Sequence, residues 1–171
     1  MKTDYIDLYQ VHWPDTTTAF EETMEAFEKL IQRGKIRYAG VSNYNLEQFI
    51  EANKYTNVVS NQLPYSMIKR EIENDLVPYC IEANKSILAY SPLGRGILTG
   101  KLKAGHQFAE GDHRAGMSSY SNENIVRINE FLAKLQLLAD AKNATISQLV
   151  IRWTLDQSGI TIALVGARNA S

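Results

Sequence analysis

The chain has 171 residues, with 18 Lys and Arg against 19 Asp and Glu, for a formal net charge of -1. Its 44% hydrophobic and 22% charged residues are ordinary for a globular protein and exclude a disordered or collagen-like chain. A charge so close to zero gives no electrostatic footing for nucleic acid or an anionic membrane. The longest apolar stretch, residues 160–167, is interrupted by Thr161 and Gly166 and falls far short of the roughly 20 residues a membrane span needs. Asp4 and Asp7 stand where a signal peptide would carry its apolar run. The single cysteine, Cys80, has no partner for an internal disulfide. These features predict one soluble, cytoplasmic domain over residues 1–171.

Short apolar runs alternate with longer amphipathic stretches. Residues 5–12, YIDLYQVH, are rich in β-formers and stop at Trp13-Pro14, where proline blocks further pairing. Thr18-Ala-Phe-Glu21 has the spacing of a capping box. Phe20, Met24, Phe27, Leu30 and Ile31 then recur at helical period until Gly34 ends the run. Residues 36–42 read as a second strand, and Asn45 to Gln48 repeats the cap spacing ahead of Leu46, Phe49 and Ile50. A third strand spans residues 58–62, and Ile72, Leu76, Cys80 and Ala83 mark one helical face. The fourth strand, residues 86–90, leads into a glycine-rich stretch over 92–101 and a polar loop to about residue 121. Ile125, Ile128, Leu132, Leu135 and Leu138 mark a long helix. Thr145 to Gln148 caps another, with Leu149, Val150 and Trp153 inward, and residues 161–165 form the fifth strand.

Strands alternating with helices at this spacing predict an α/β fold whose parallel strands are covered by helices. An open doubly wound sheet and a (β/α) barrel both fit. A whole barrel takes about 250 residues, so five strands make a partial one.

Such folds gather their chemistry at the carboxyl ends of the strands. Those ends read His12-Trp13, Ser42-Asn43, Asn61-Gln62, Tyr90-Ser91 and Gly166-Ala167-Arg168. Each taken alone suits a cap or a turn; together they suit a ligand bearing amide and phosphate groups. His12 shares strand parity with Leu8 and Gln10, and its natural roles are general acid or donor to a substrate oxygen. Gly94-Arg95-Gly96 with Gly100-Lys101 fits neither the dinucleotide fingerprint nor the P-loop. A glycine-rich loop after a strand still brings backbone N–H groups to a phosphate. His106, Glu110, Asp112 and His113 lack any metal-ligand spacing and read as a solvated loop. The sequons at Asn143 and Asn169 read as incidental, and no Gly-x-Ser-x-Gly elbow is present to support a hydrolase.

In order along the chain stand TDYIDLYQVHWPD, GKIRYAGVSN, NQLPYS, LAYSPLGRGILTGK with a following FAEGDHR, and VGARNAS. In this combination the chain resembles the aldo-keto reductases over residues 3–171. The resemblance implies part of a (β/α)8 TIM barrel of about five parallel strands. It also implies NADPH as cofactor and a small-molecule carbonyl substrate. On that resemblance His12 is the active-site histidine that orients the carbonyl oxygen, and Trp13 lines the substrate pocket. Ser42, Asn43 and Gln62 hold the nicotinamide carboxamide, and Tyr90 stacks on its ring. The backbone of Ser91, Leu93, Gly94 and Gly96 meets the pyrophosphate. Gly166, Ala167, Arg168 and Asn169 begin the segment that binds the adenosine 2′-phosphate.

The family's proton-donating tyrosine, lysine and aspartate belong on earlier strands, so the resemblance places them upstream of Met1. A fragment inactive on its own is therefore expected. The alternative is a non-catalytic cofactor-binding or interaction module resembling potassium-channel β subunits. The first and fifth strands carry no proline or lysine gatekeepers, which predicts either self-association through open edges or poor stability. Ile6, Leu8 and Leu88 are the residues expected to be exposed on the inward face.

Overall fold

The computed structural model describes residues 2–166. Five parallel strands lie in one sheet in chain order: β1 (Ile6–Val11), β2 (Ile36–Ser42), β3 (Val58–Pro64), β4 (Ser86–Tyr90) and β5 (Ile160–Leu164). Helices α1 (Phe20–Gln32), α2 (Leu46–Ala52), α3 (Leu76–Glu82), α4 (Asn122–Ala141) and α5 (Ile146–Leu155) lie between them. Right-handed crossovers in a strand order that never reverses keep every helix on one face. A doubly wound sheet needs a reversal to cover both faces, so the order selects the barrel sector.

The packing agrees. Val41, Val58, Leu63, Ile87 and Ala89 point from the strands into one core with Met24 of α1, Phe49 of α2 and Cys80 of α3. Each large apolar side chain so buried contributes about 1.5–3 kcal/mol. A second core gathers Ile97, Leu98, Leu102 and Tyr120 against Ile125 and Leu132 of α4 and Val150 of α5. It welds the glycine-rich segment after β4 to the last two helices.

The opposite, inward face is read from the register. Leu8 pairs with Tyr38, Gln10 with Gly40, Ser42 with Gln62, and Pro64 with Tyr90. Gly40 is there because space is short: a Cβ would sit 2.7 Å from Ser60 Oγ, 3.0 Å from Gln10 Cγ and 3.1 Å from Leu8 Cδ1. Exposure on this face differs from the expectation. Leu88 is buried, while Ile6 and Leu8 are half-buried; Tyr38 and Ile162, at 56% and 43%, are the exposed ones. Leu88 lies between Gln62 and Ile162 on its two neighbouring strands, which shield it.

Several local expectations need correction. Thr18 does not cap α1; the N-cap is Ala19, without a side-chain bond. Asp15 takes the Thr18 hydroxyl at 2.9 Å and the Thr17 amide at 2.8 Å, so a local turn consumes the would-be cap. The boxes at Asn45 and Thr145 are both formed. Ile72 is not in one helix with Cys80 but in a separate 3-10 turn, Glu71–Asn74. Pro78 explains the break, since its ring excludes the carbonyl of the residue four before it, Asn74, from a continuous helix. Asp75 restarts the chain by accepting from the Leu76 amide at 2.6 Å. In α4 the buried line is Ile125, Leu132 and Ala139, and Leu138 is turned to solvent at 53%. The polar loop before α4 contains two 3-10 turns, His113–Gly116 and Ser118–Tyr120. No helix of the described residues is long and apolar enough to cross a membrane.

Two outcomes follow. Gly40→Val is expected to lose about 1–3 kcal/mol in chemical denaturation, as overpacking does, whereas Gly34→Ala, facing open space at φ +65°, carries only backbone strain. Cys80 is fully buried, and burial pushes its thiol up to about 11. Thiol reagents at pH 8 should therefore label it only after denaturant unfolds the chain; prompt labelling of the native protein would contradict the packing.

Candidate active site

Asn43, the first residue after β2, takes a left-handed backbone with φ 62°, a conformation that asparagine tolerates better than most residues. Its side chain then reaches three ways. Nδ2 donates to the His12 carbonyl at 3.1 Å and to Ser42 Oγ at 3.0 Å, and Oδ1 accepts from the Tyr90 hydroxyl at 2.9 Å. Ser42 Oγ in turn donates to the Gln62 carbonyl at 2.9 Å, which also accepts from the Asn43 amide at 3.0 Å. One residue thus ties together the carboxyl ends of β1, β2, β3 and β4. Both Asn43 amide hydrogens are used within the protein, leaving an acceptor position on Oδ1 for anything else.

Gln62 lies half-buried on the inward face beside Ser42. Its neighbour Asn61 does not join the mouth. Strand alternation turns Asn61 to the helix side, where it is fully buried and donates to the Tyr44 carbonyl at 2.9 Å. Asn61 braces the loop into α2 instead.

Trp13, Asn43, Tyr90 and Ser91 line a cavity of about 810 Å³, whose far walls include Ile68 and Met117. His12 stands beside this cavity rather than on its wall, exposed, with its ring 6.0 Å from that of Trp13. A second cavity, of about 320 Å³, opens between the ends of β4 and β5 and is lined by Ser91, Leu93, Gly96 and Gly166, with Arg95 and Leu164. Ser91 and Arg95 border both. The turn between them is unusual: Ser91, Gly94, Arg95 and Gly96 have φ of 55°, 53°, 50° and 98°. Departures from helical conformation in so short a stretch curl the backbone tightly, with the Gly94 amide donating to the Ser91 carbonyl at 2.8 Å and the Gly96 amide to the Leu93 carbonyl at 3.0 Å. Arg168, with Ala167 and Asn169, lies outside the described residues.

The supports of this turn were not legible as such in the sequence. Tyr120 donates to the Gly94 carbonyl at 2.7 Å, Arg114 Nη1 to the Arg95 carbonyl at 3.2 Å, and Thr99 to the Gly96 carbonyl at 2.7 Å. The available signals were Arg114 within the FAEGDHR string and Tyr120, with Phe108, as an aromatic in a polar loop. Asp112 has a different use from metal binding: it grips the Arg114 guanidinium, with Oδ2 2.6 Å from Nη2, and this holds its carboxyl well below the usual carboxylate range. His106 packs edge-on against Phe108 at 4.8 Å. Among the described residues, no group of three or more His, Cys, Asp or Glu is placed to hold a metal. The Tyr44, Tyr65 and Tyr120 phenols on the larger cavity are all pushed upward, chiefly by burial, away from easy proton release.

Known proteins resemble the chain in sequence and in fold. The model of the aldo/keto reductase family matches residues 1–171. Aldo-keto reductase YhdN of Bacillus subtilis is 38% identical over 98% of this chain and 51% of its own length. The solved structure of the glycerol dehydrogenase AKR11B4 from Gluconobacter oxydans superposes with a TM-score of 0.92 at 35% identity, over 97% of this chain and 50% of that one. An aldo/keto reductase from Klebsiella pneumoniae, solved in complex with NADP and acetate, gives a TM-score of 0.71 at 30% identity, over 97% of this chain and 50% of that one. The chain spans about half the length of the relatives it matches. A barrel-type strand order, a polar cluster at the strand ends and a family match over every residue agree, and the chain belongs to the aldo/keto reductase family.

Proposed function

We propose that this chain forms the dinucleotide-binding part of a reductase that converts aldehydes or ketones to alcohols with NADPH. The observation that carries the reading is the pair of adjoining cavities. One is bordered by an amide and hydroxyl cluster, the other by an anion-shaped turn, and Ser91 and Arg95 belong to both. A nicotinamide with a diphosphate attached needs those two surfaces side by side. NADP in the Klebsiella pneumoniae relative supports the phosphorylated cofactor. The same reading takes residues 1–171 as one partial barrel domain and puts it in the cytoplasm, where its one thiol stays reduced.

The roles follow from what each group has free. Asn43 offers only an acceptor, for the NH2 of a carboxamide, so Gln62 supplies the donor for its oxygen. Tyr90, fixed at its hydroxyl by Asn43, presents its ring as a flat wall for stacking. Ser42 aligns Asn43, and the turn of Ser91, Leu93, Gly94 and Gly96, whose two glycine amides bond back to the Ser91 and Leu93 carbonyls, borders the diphosphate, with Gly166 across the cleft. We assign Arg168, beyond the described residues, to the 2′-phosphate. A reduced nicotinamide, when bound, supplies the hydride. His12 donates to the carbonyl oxygen and Trp13 covers the substrate.

Reduction also needs a proton for the resulting alkoxide. Burial makes Tyr44, Tyr65 and Tyr120 poorer acids, so none of these three is a primed donor. Lack of a general acid commonly costs about 10²–10⁴ in rate, and the 171-residue chain is expected to bind cofactor while giving no detectable turnover of simple aldehydes.

A second reading, a binding module that associates through its sheet, rests on the exposed Tyr38 and Ile162 of the inward face and on β1 and β5, which end the sheet. Light scattering of the purified chain would report it as species larger than a monomer.

Titration with NADPH, following nicotinamide emission, tests the first reading. Saturable enhancement is expected, with Tyr90→Phe weakening affinity roughly 3–10-fold through loss of one hydrogen bond to Asn43. Unchanged emission at millimolar protein, or a Tyr90→Phe curve matching the wild type, would contradict it.

A further inference from the structure

Three successive carbonyls of the turn after β4, those of Gly94, Arg95 and Gly96, each accept from a side chain: the Tyr120 hydroxyl, Arg114 Nη1 and the Thr99 hydroxyl. Arg114 and Tyr120 reach these carbonyls from the loop before α4, while Thr99 bonds back within the same 3-10 segment, Gly94–Thr99. Two of the donors, Arg114 and Tyr120, are themselves braced. Arg114 is gripped by Asp112 in a pair largely shielded from water, and its guanidinium lies 5.4 Å from the Phe108 ring. Phe108 stands edge-on to Tyr120 at 6.1 Å, and Tyr120 is buried in the core shared with α4. Gly96 takes φ +98°, a conformation that only glycine adopts without strain.

A trans peptide points its N–H opposite to its C=O. Tying the carbonyls of 94, 95 and 96 to one set of donors therefore fixes which way the following amides face, that of Gly96 onto the Leu93 carbonyl at 3.0 Å. It also holds Arg95 in a left-handed conformation, φ 50°, that a residue with a Cβ does not favour unaided.

We propose that Arg114, Tyr120 and Thr99 are positioning residues for a diphosphate-binding backbone, acting through the Gly94–Arg95–Gly96 carbonyls rather than by touching the ligand themselves. The proposal rests on the cofactor reading above and adds to it the residues that shape the anion site. The Asp112–Arg114 pair keeps its charge far into acid, because Arg114 holds the Asp112 carboxyl well below the usual range.

The test uses the purified chain, three variants and three ligands. Tyr120→Phe keeps the buried ring, Thr99→Val keeps the shape and Arg114→Lys keeps the charge. NADPH and 2′-phospho-ADP-ribose contain the diphosphate; adenosine 2′-monophosphate does not. Calorimetric titration should find each variant weakened roughly 3–10-fold toward the first two, the range set by one lost hydrogen bond. Affinity for adenosine 2′-monophosphate should stay as in the wild type. Equal weakening toward all three ligands would show a general structural role and overturn the proposal. So would unchanged affinity for NADPH in all three variants. If the wild type binds no NADPH, the cofactor reading itself fails and takes this inference with it.

Discussion

The mouth of this sheet depends on a single side-chain amide. Parallel strands end with unpaired backbone groups, and nothing in a β-ladder fixes how the loops beyond them are placed. Asn43 supplies that constraint by bonding to the His12 carbonyl, to Ser42 Oγ and to the Tyr90 hydroxyl from a left-handed backbone. The direction of the Tyr90 ring, the seat of Ser42 and the exit of the chain into Trp13 all follow from it. An aspartate could accept from Tyr90 but has no hydrogens for His12 and Ser42, and a leucine could do neither.

The two halves of the site are built by different means. At the end of β2 and β3 the chemistry is in side chains, held by strand register and by Gly40, whose missing Cβ lets β1, β2 and β3 approach. After β4 it is in the backbone, where an unfavourable run of positive φ is kept in shape by donors from residues 99, 114 and 120. The core joining that segment to α4 and α5 anchors it to the scaffold. On the proposed reading, the substrate side and the phosphate side are therefore separable by mutation, one through side-chain hydrogen bonds and the other through conformation.

Much of this was legible in the residues. The strand–helix alternation, the caps at Asn45 and Thr145 and the strand-end positions of His12, Asn43, Gln62 and Tyr90 depend on local patterns that tertiary structure left intact. What escaped depended on competition or distance. Thr18 lost its cap to Asp15, three residues earlier, which no spacing rule ranks. Asn61 and Gln62 are adjacent and similar, and only alternation about the sheet separates a brace from a site residue. Arg114 and Tyr120 act on carbonyls about twenty residues away, and a carbonyl leaves no mark in a sequence.

On the proposed reading one dinucleotide lies across both halves, with its carboxamide at Asn43 and Gln62 and its diphosphate on residues 91–96. A crystal structure of the chain grown with NADPH tests this most directly. The carboxamide is expected within about 3 Å of the Asn43 and Gln62 side chains, with the ring against Tyr90 and diphosphate oxygens facing the backbone of the turn. A dinucleotide bound elsewhere, or these two surfaces left bare at saturating cofactor, would contradict it.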